Sequence, residues 1–175
     1  MLRSDLLHLR VVEGRDLDDL FRKFNTLEHR GAYFPMKLQS EPVFRRRFEE
    51  NGFWSRNEGM LLMIDAHDEI VGEIEYYPIT DYLAGFELSY LLFGTEHRGK
   101  GYATDAVTLM TQYLFAQHRM ERLQLNIHPD NAASRRVAEK SGYALEGVMR
   151  QCWFNNGRFH DLEIWSMLRD EQPTT

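Results

Sequence analysis

Eight residues, His97 to Thr104 (HRGKGYAT), constrain this chain more than any other stretch. They follow the apolar run FELSYLLF, which reads as a strand. They precede TDAVTLMTQYLFAQH, where Val107, Met110 and Leu114, with Ala103 and Ala106 behind them, recur at helical spacing. Glycines at a strand-to-helix junction let the backbone approach a ligand closely, and the first helical N–H groups then face that ligand with a favourable partial charge. Arg98 and Lys100 add formal charge on the approach, which suits a pyrophosphate better than a lone carboxylate. The segment is an anion loop.

Two common nucleotide loops do not fit. The P-loop string G-x-x-x-x-G-K-[ST] is absent, and a dinucleotide fingerprint needs a third glycine after the first strand of a βαβ repeat, whereas Gly99-Lys100-Gly101 sits mid-chain without one.

The rest of the chain alternates strands and helices. LLHLRVV (Leu6 to Val12) reads as a first strand, and Asp16 can cap a helix over residues 17–30 in which Leu17, Leu20, Phe21, Phe24 and Leu27 share a face. After the aromatic loop GAYFPM, a shorter helix starts near Pro42 and stops near Gly52. GMLLMIDA and EIVGEIEYYPI form a hairpin around His67-Asp68. RLQLNIHP is a strand and DNAASRRVAEKSG a helix stopped by Gly142. Two long strands turn around Asn155-Asn156-Gly157. The order is β-α-α-β-β-β-α-β-α-β-β, a mixed α/β fold. With 175 residues, one buried core is expected and two ordinary domains are not. Residues 1–170 are assigned to a single domain and 171–175 to a tail.

Charge and composition narrow the partners. A net charge of −6 argues against nucleic acid and favours a cationic substrate. The one basic run, FRRRF (Phe44 to Phe48), reads as a solvated helix face. Cys152 is the sole cysteine and reads as packing, which points to a reducing, cytoplasmic setting. No apolar run approaches the ~20 residues of a membrane span, the N-terminus lacks a signal-peptide core, and the seven histidines show no metal-ligand spacing. His97 reads as a solvated flank and Tyr143 as core.

Arg98-x-x-Gly101-x-Ala103 resembles the [Gln/Arg]-x-x-Gly-x-[Gly/Ala] signature of the GNAT superfamily of N-acetyltransferases. The downstream segment NIHPDNAASRRVAEKSGYALEGVMRQCWFNNGRFHDLEIWSML is similar to the RimJ/RimL-type branch, with its Asn-x-x-Ser helix start, Gly-[Phe/Tyr], "EG" and closing "NG" turn. The resemblance covers nearly the whole chain, most closely from Glu87 to Leu168. It implies a mostly antiparallel sheet, splayed where acetyl-CoA binds and flanked by helices. It also implies cofactor contacts from Arg98, Gly99, Lys100, Gly101, Tyr102, Ala103 and Thr104, from the main chain of Leu91 and Leu92, and from Asn131. No metal is implied.

The implied reaction is direct attack of a primary amine on the thioester through a tetrahedral intermediate. An alkyl amine with a pKa near ~10 is only about 0.1% neutral at pH 7, so a base is needed. Glu87, a carboxylate in an apolar strand, matches the branch's glutamate at that position and is the candidate base or amine anchor. The leaving thiolate is helped by a donor, which in this branch is the serine of Asn-x-x-Ser, here Ser134; Asn131 and Ser134 can equally serve the first helical turn. The tyrosine that other members carry four residues after that serine is absent, because residue 138 is alanine.

Glu73, Glu75, Asp161 and Glu163 could line an acceptor site, with Tyr33, Phe34, Trp54 and Trp153 as walls, although alternate glutamates on a strand also suit a solvent-facing side. Peptide N-terminus, polyamine and amine-bearing antibiotic all remain open. So do a regulatory acyl-CoA-binding module without turnover, a succinyl or longer acyl donor, and monomer or homodimer.

Overall fold

The computed structural model describes residues 1–26, 31–35 and 38–172. Two short strands, β1 (Leu2–Arg3) and β2 (Leu7–Val11), open the chain. β1 is additional to the expected order and exists because Ser4 bonds the backbone of Leu7 and turns the chain back. A 3-10 turn (Gly14–Asp16) leads into α1 (Leu17–Asn25), which buries Leu17, Leu20 and Phe24. The helix ends at Asn25, with Thr26 in extended backbone, short of the expected residue 30, while Leu27 and Met36 lie outside the described residues.

Asp16 occupies the start of α1 without capping it through its side chain. Its carboxylate instead takes two bonds from Arg10, at 2.6 and 2.8 Å, and one from the Glu13 N–H at 2.8 Å. The helix α2 (Glu41–Asn51) ends at Gly52 in the left-handed region, as its sequence foretold.

The strands β3 (Gly59–Asp65), β4 (Ile70–Pro78) and β5 (Gly85–Leu92) are followed by α3 (Tyr102–Gln117), β6 (Arg122–Ile127), α4 (Ala132–Lys140), β7 (Ala144–Asn155) and β8 (Arg158–Leu168). Together they make an eight-stranded sheet in the order β1-β2-β3-β4-β5-β6-β8-β7. The β7–β8 turn places Asn156 at φ 49° and Gly157 at φ 78°, which is what a tight hairpin with positive φ at both central residues requires.

Both faces of the sheet are covered. Met60, Leu62, Ile64, Leu91 and Phe93 pack against α1 and α2, whereas Leu61, Met63, Ile74, Leu88, Leu123 and Leu125 pack against α3 and α4. β3 is therefore buried at every position and reads as a continuous apolar run. Each fully buried large side chain contributes roughly 1.5–3 kcal/mol.

One seam is open. β5 and β6 run parallel, as strands joined by the α3 crossover must, and they pair at Gly85↔Arg122, Phe86↔Leu123 and Glu87↔Gln124. Beyond Glu87 the ladder stops, while β5 stays paired to β4 and β6 to β8. The sheet is splayed there, as the resemblance implied.

Candidate active site

A cavity of about 550 Å³ occupies the splayed seam. The strand alternation sorts its lining by face. Glu73, Glu75, Tyr77 and Glu87 reach it from the α1/α2 side of β4 and β5, and Tyr90, Asn131 and Ser134 from the α3/α4 side. The hole thus connects the two faces of the sheet.

Glu87 sits where the ladder ends and is held at both oxygens. Tyr77 donates to Oε1 at 2.9 Å and Asn126 donates to Oε2 at 2.7 Å. Behind Asn126, Gln124 donates to its amide oxygen at 2.9 Å, and Arg122 donates to Gln124 at 3.1 Å. Burial lifts the Glu87 carboxyl above its ordinary range, and the bonds from Tyr77 and Asn126 pull against that lift. The carboxyl is fixed in direction, partly desolvated and open to the cavity. The supporting row Arg122, Gln124, Asn126 was not foreseen, although RLQLNI shows it as polar residues alternating with Leu123, Leu125 and Ile127.

The anion loop has the conformation its glycines allow. Gly99 (φ 74°) and Gly101 (φ 92°) lie in the left-handed region, and a side chain at Gly99 would meet nothing within 4 Å. Gly101 is the N-cap of α3 and no side chain caps the helix, so the N–H groups of Tyr102, Ala103 and Thr104 face outward without a capping oxygen. Arg98 and Lys100 are exposed, with the Arg98 guanidinium against Gly31. Tyr102 is turned away, its hydroxyl toward Asp65. Leu91 and Leu92 lie on the β5 stretch that has lost its β6 partner.

Asn131 caps α4 by accepting from the Ser134 N–H at 3.1 Å, and the Ser134 hydroxyl lies 2.5 Å from that of Tyr90. Tyr143 is core, its hydroxyl 2.7 Å from Thr111. At the mouth of the cavity His128 and His160 bond ring to ring at 3.0 Å, with Tyr33 stacked on His128 and Trp153 against both imidazoles.

Several expectations are corrected. Glu73 is buried and Glu75 half-buried in the cavity, rather than facing solvent. Asp161 and Glu163 are not in it: Asp161 accepts from Gln151, and Glu163 accepts from Trp165 and pairs with Arg135. Trp54 packs on Tyr76 and Tyr113 instead of walling the site. His97 is buried, 3.7 Å from both Glu69 and Glu96. Cys152 is exposed, because β7 is an edge strand whose register breaks between Met149 and Trp153. In FRRRF, Arg46 and Arg47 are exposed, yet Phe44 is core and Arg47 borders the cavity.

A sheet parted between parallel strands, with an uncapped helix start at the end of one and a buried carboxylate in the seam, has the architecture of a group transferase. The chain belongs to the acetyltransferase (GNAT) domain family, which matches residues 7–144, and is an acetyltransferase. It is similar to the ribosomal-protein-serine acetyltransferase of Escherichia coli, at 25% identity over 97% of this chain and 96% of that one. It is also similar to the spermidine N(1)-acetyltransferase of Vibrio cholerae, at 22% identity over 94% of each chain. Among solved structures, a Vibrio cholerae spermidine N-acetyltransferase in complex with CoA and spermine shares the fold, with a TM-score of 0.81 and 21% identity over 96% of this chain and 98% of that one. Among the described residues no helix is long and apolar enough to cross a membrane, and no group of three or more His, Cys, Asp or Glu could hold a metal ion.

Proposed function

We propose that this chain transfers the acetyl group of acetyl-CoA to a primary amine of a small linear polycation, with residues 1–170 as its one catalytic domain. The observation that carries the acceptor class is the placement of Glu87, Glu75 and Glu73 on one face of adjacent paired strands. Glu87 pairs with Tyr77, Ser89 with Glu75, and Leu91 with Glu73, so the three carboxylates occupy successive rows. Rows two residues apart are roughly 6.6 Å apart, about the span of a four-carbon diamine. Burial lifts the Glu75 carboxyl, and the charge of Arg47 at the rim opposes that lift; a cationic acceptor compensates the same burial.

The residues present fit acetyl-CoA. The uncapped start of α3 and the open space over Gly99 offer N–H groups to a pyrophosphate, with Arg98 and Lys100 beside it. The unpaired β5 edge at Leu91 and Leu92 offers main-chain groups to the pantetheine arm, as to an added strand. When bound, acetyl-CoA supplies an activated acyl group on a thiol leaving group. The chain's own part is to bind the ammonium among the glutamates, take its proton at Glu87 and present the neutral nitrogen through the seam. Ser134, across the seam, donates to the departing sulfur.

The test is acetyl-CoA turnover with spermidine, a mono-amine of similar length and a peptide with a free N-terminal serine. Turnover that favours spermidine by tenfold or more in kcat/KM is the expected result. Preference for the peptide would replace the acceptor class, and no turnover with any amine would leave a CoA-binding module.

A further inference from the structure

Resting on the acetyl-transfer reading, we infer that Tyr90 is a positioning residue for the leaving group: it donates its phenolic hydrogen to Ser134 and so frees the serine hydrogen to point at the sulfur. Tyr90 belongs to β5, on the face that carries Leu88 and Leu92 and packs toward α3. It lies beyond Glu87, in the stretch with no β6 partner, so its side chain crosses the seam to reach the first turn of α4. The two hydroxyl oxygens are 2.5 Å apart, a short contact even for O–H···O.

The direction of that bond follows from chemistry. A phenol is a stronger acid than an aliphatic alcohol and is the better donor of the two. Burial pushes the Tyr90 phenol up to about 12, so it keeps its hydrogen throughout the neutral range. The Ser134 N–H is already given to Asn131, and with the phenol as donor the serine oxygen is the acceptor of the Tyr90 bond. Its own hydrogen is then left for an acceptor in the cavity, and a hydrogen bond received at the serine oxygen strengthens the one it gives.

The consequence bears on a gap in the sequence. Position 138, where a tyrosine could have stood on α4 behind the serine, is a fully buried alanine. In this chain a phenol arrives from the opposite side of the seam. Glu87 passes the ammonium's proton to solvent and is free to act again. The neutral nitrogen adds to the carbonyl carbon to give a tetrahedral intermediate and loses its second proton to Glu87. As the intermediate collapses and the carbonyl reforms, the C–S bond breaks and its electron pair leaves on sulfur. The sulfur departs as thiolate, stabilised by the Ser134 hydrogen bond, and is protonated from solvent on release. No proton leaves Tyr90.

Steady-state kinetics of Tyr90→Phe, Ser134→Ala and the double variant test this, with Tyr143→Phe as a control that deletes another buried phenol–hydroxyl pair in the same core cluster. The expected result is a fall of about 10-fold or more in kcat for Tyr90→Phe, with KM for acetyl-CoA within about 2-fold, and a double variant no slower than Ser134→Ala alone. Tyr143→Phe is expected to lower thermal stability and leave kcat near that of the parent. An unchanged kcat in Tyr90→Phe, or losses that multiply in the double variant, would overturn the inference while the parent remains active. A parent that acetylates no amine would overturn the transfer reading and this inference with it.

Discussion

Replacing Glu87 by glutamine removes the proposed base while leaving its surroundings in place. Both neighbours of Glu87 donate to it, Tyr77 to one oxygen and Asn126 to the other. Glutamine keeps one acceptor oxygen. The tyrosine hydroxyl can turn to accept from the new amide, so both neighbours keep a bond to residue 87 and the freed tyrosine hydrogen turns to the cavity that Tyr77 lines. Stability is therefore expected to hold, or to rise slightly at neutral pH, because the native state no longer buries a carboxylate. The sign follows from linkage: a carboxyl raised in the folded state holds its proton more tightly there than in the unfolded chain, so ionisation works against folding as pH rises. The catalytic effect is larger. A positioned general base contributes about 10²–10⁴ in rate, or roughly 3–5 kcal/mol of barrier. The assay is kcat against pH with saturating amine and acetyl-CoA. The parent should lose activity as pH falls through a limb above the ordinary glutamate range, and Glu87→Gln should be slower by about two orders of magnitude or more and lack that limb. Full activity in the variant, or an unchanged acid limb, would refute the role of Glu87.

Three further outcomes are expected. Glu75→Gln should raise the KM for spermidine by about 10-fold and leave that for acetyl-CoA unchanged, read by initial rates; a matching rise for a mono-amine would show that the row does not count charges. Arg169 donates to the carbonyls of Phe115, His118 and Met120 at 2.6, 2.6 and 2.8 Å, closing the C-terminal end of α3; Arg169→Ala should cost about 2–3 kcal/mol in urea unfolding, and a loss under about 0.5 kcal/mol would contradict this. Breaking the Arg10–Asp16 pair with Asp16→Asn should cost about 3 kcal/mol. Although burial pushes the Asp16 carboxyl up, the Arg10 and Glu13 bonds hold it below its ordinary value. Its stabilisation is present above the unfolded pKa and fades as pH falls through the lower folded one, so parent and variant should converge in stability in acid.

Much of the fold was legible because it rests on local rules. Turn residues, apolar periodicity and the glycines at 52, 99, 101, 142 and 157 marked most strand and helix limits to within a few residues. The shape of the glycine loop was legible for the same reason, since it is a matter of backbone conformation. Side-chain partnerships across the sheet were not. Tyr90 and Ser134 are 44 residues apart, and Glu87 and Asn126 are 39 apart; only the β5–β6 seam brings them together. The face of each acid was also hidden: Glu73 and Glu163 are both buried strand glutamates, yet one lines the cavity and the other is neutralised by Arg135. Cys152 was misplaced because a register break in an edge strand leaves no mark in composition.

The most direct measurement is calorimetric titration of the purified protein with acetyl-CoA and free CoA, with ATP and NADH run alongside. Micromolar binding of both CoA species and none of the others is the predicted result, with Gly101→Val, which forces a branched side chain into a left-handed N-cap, weakening it at least tenfold. Absence of CoA binding at any accessible concentration, by a folded protein, would contradict the assignment of the loop and seam to acetyl transfer.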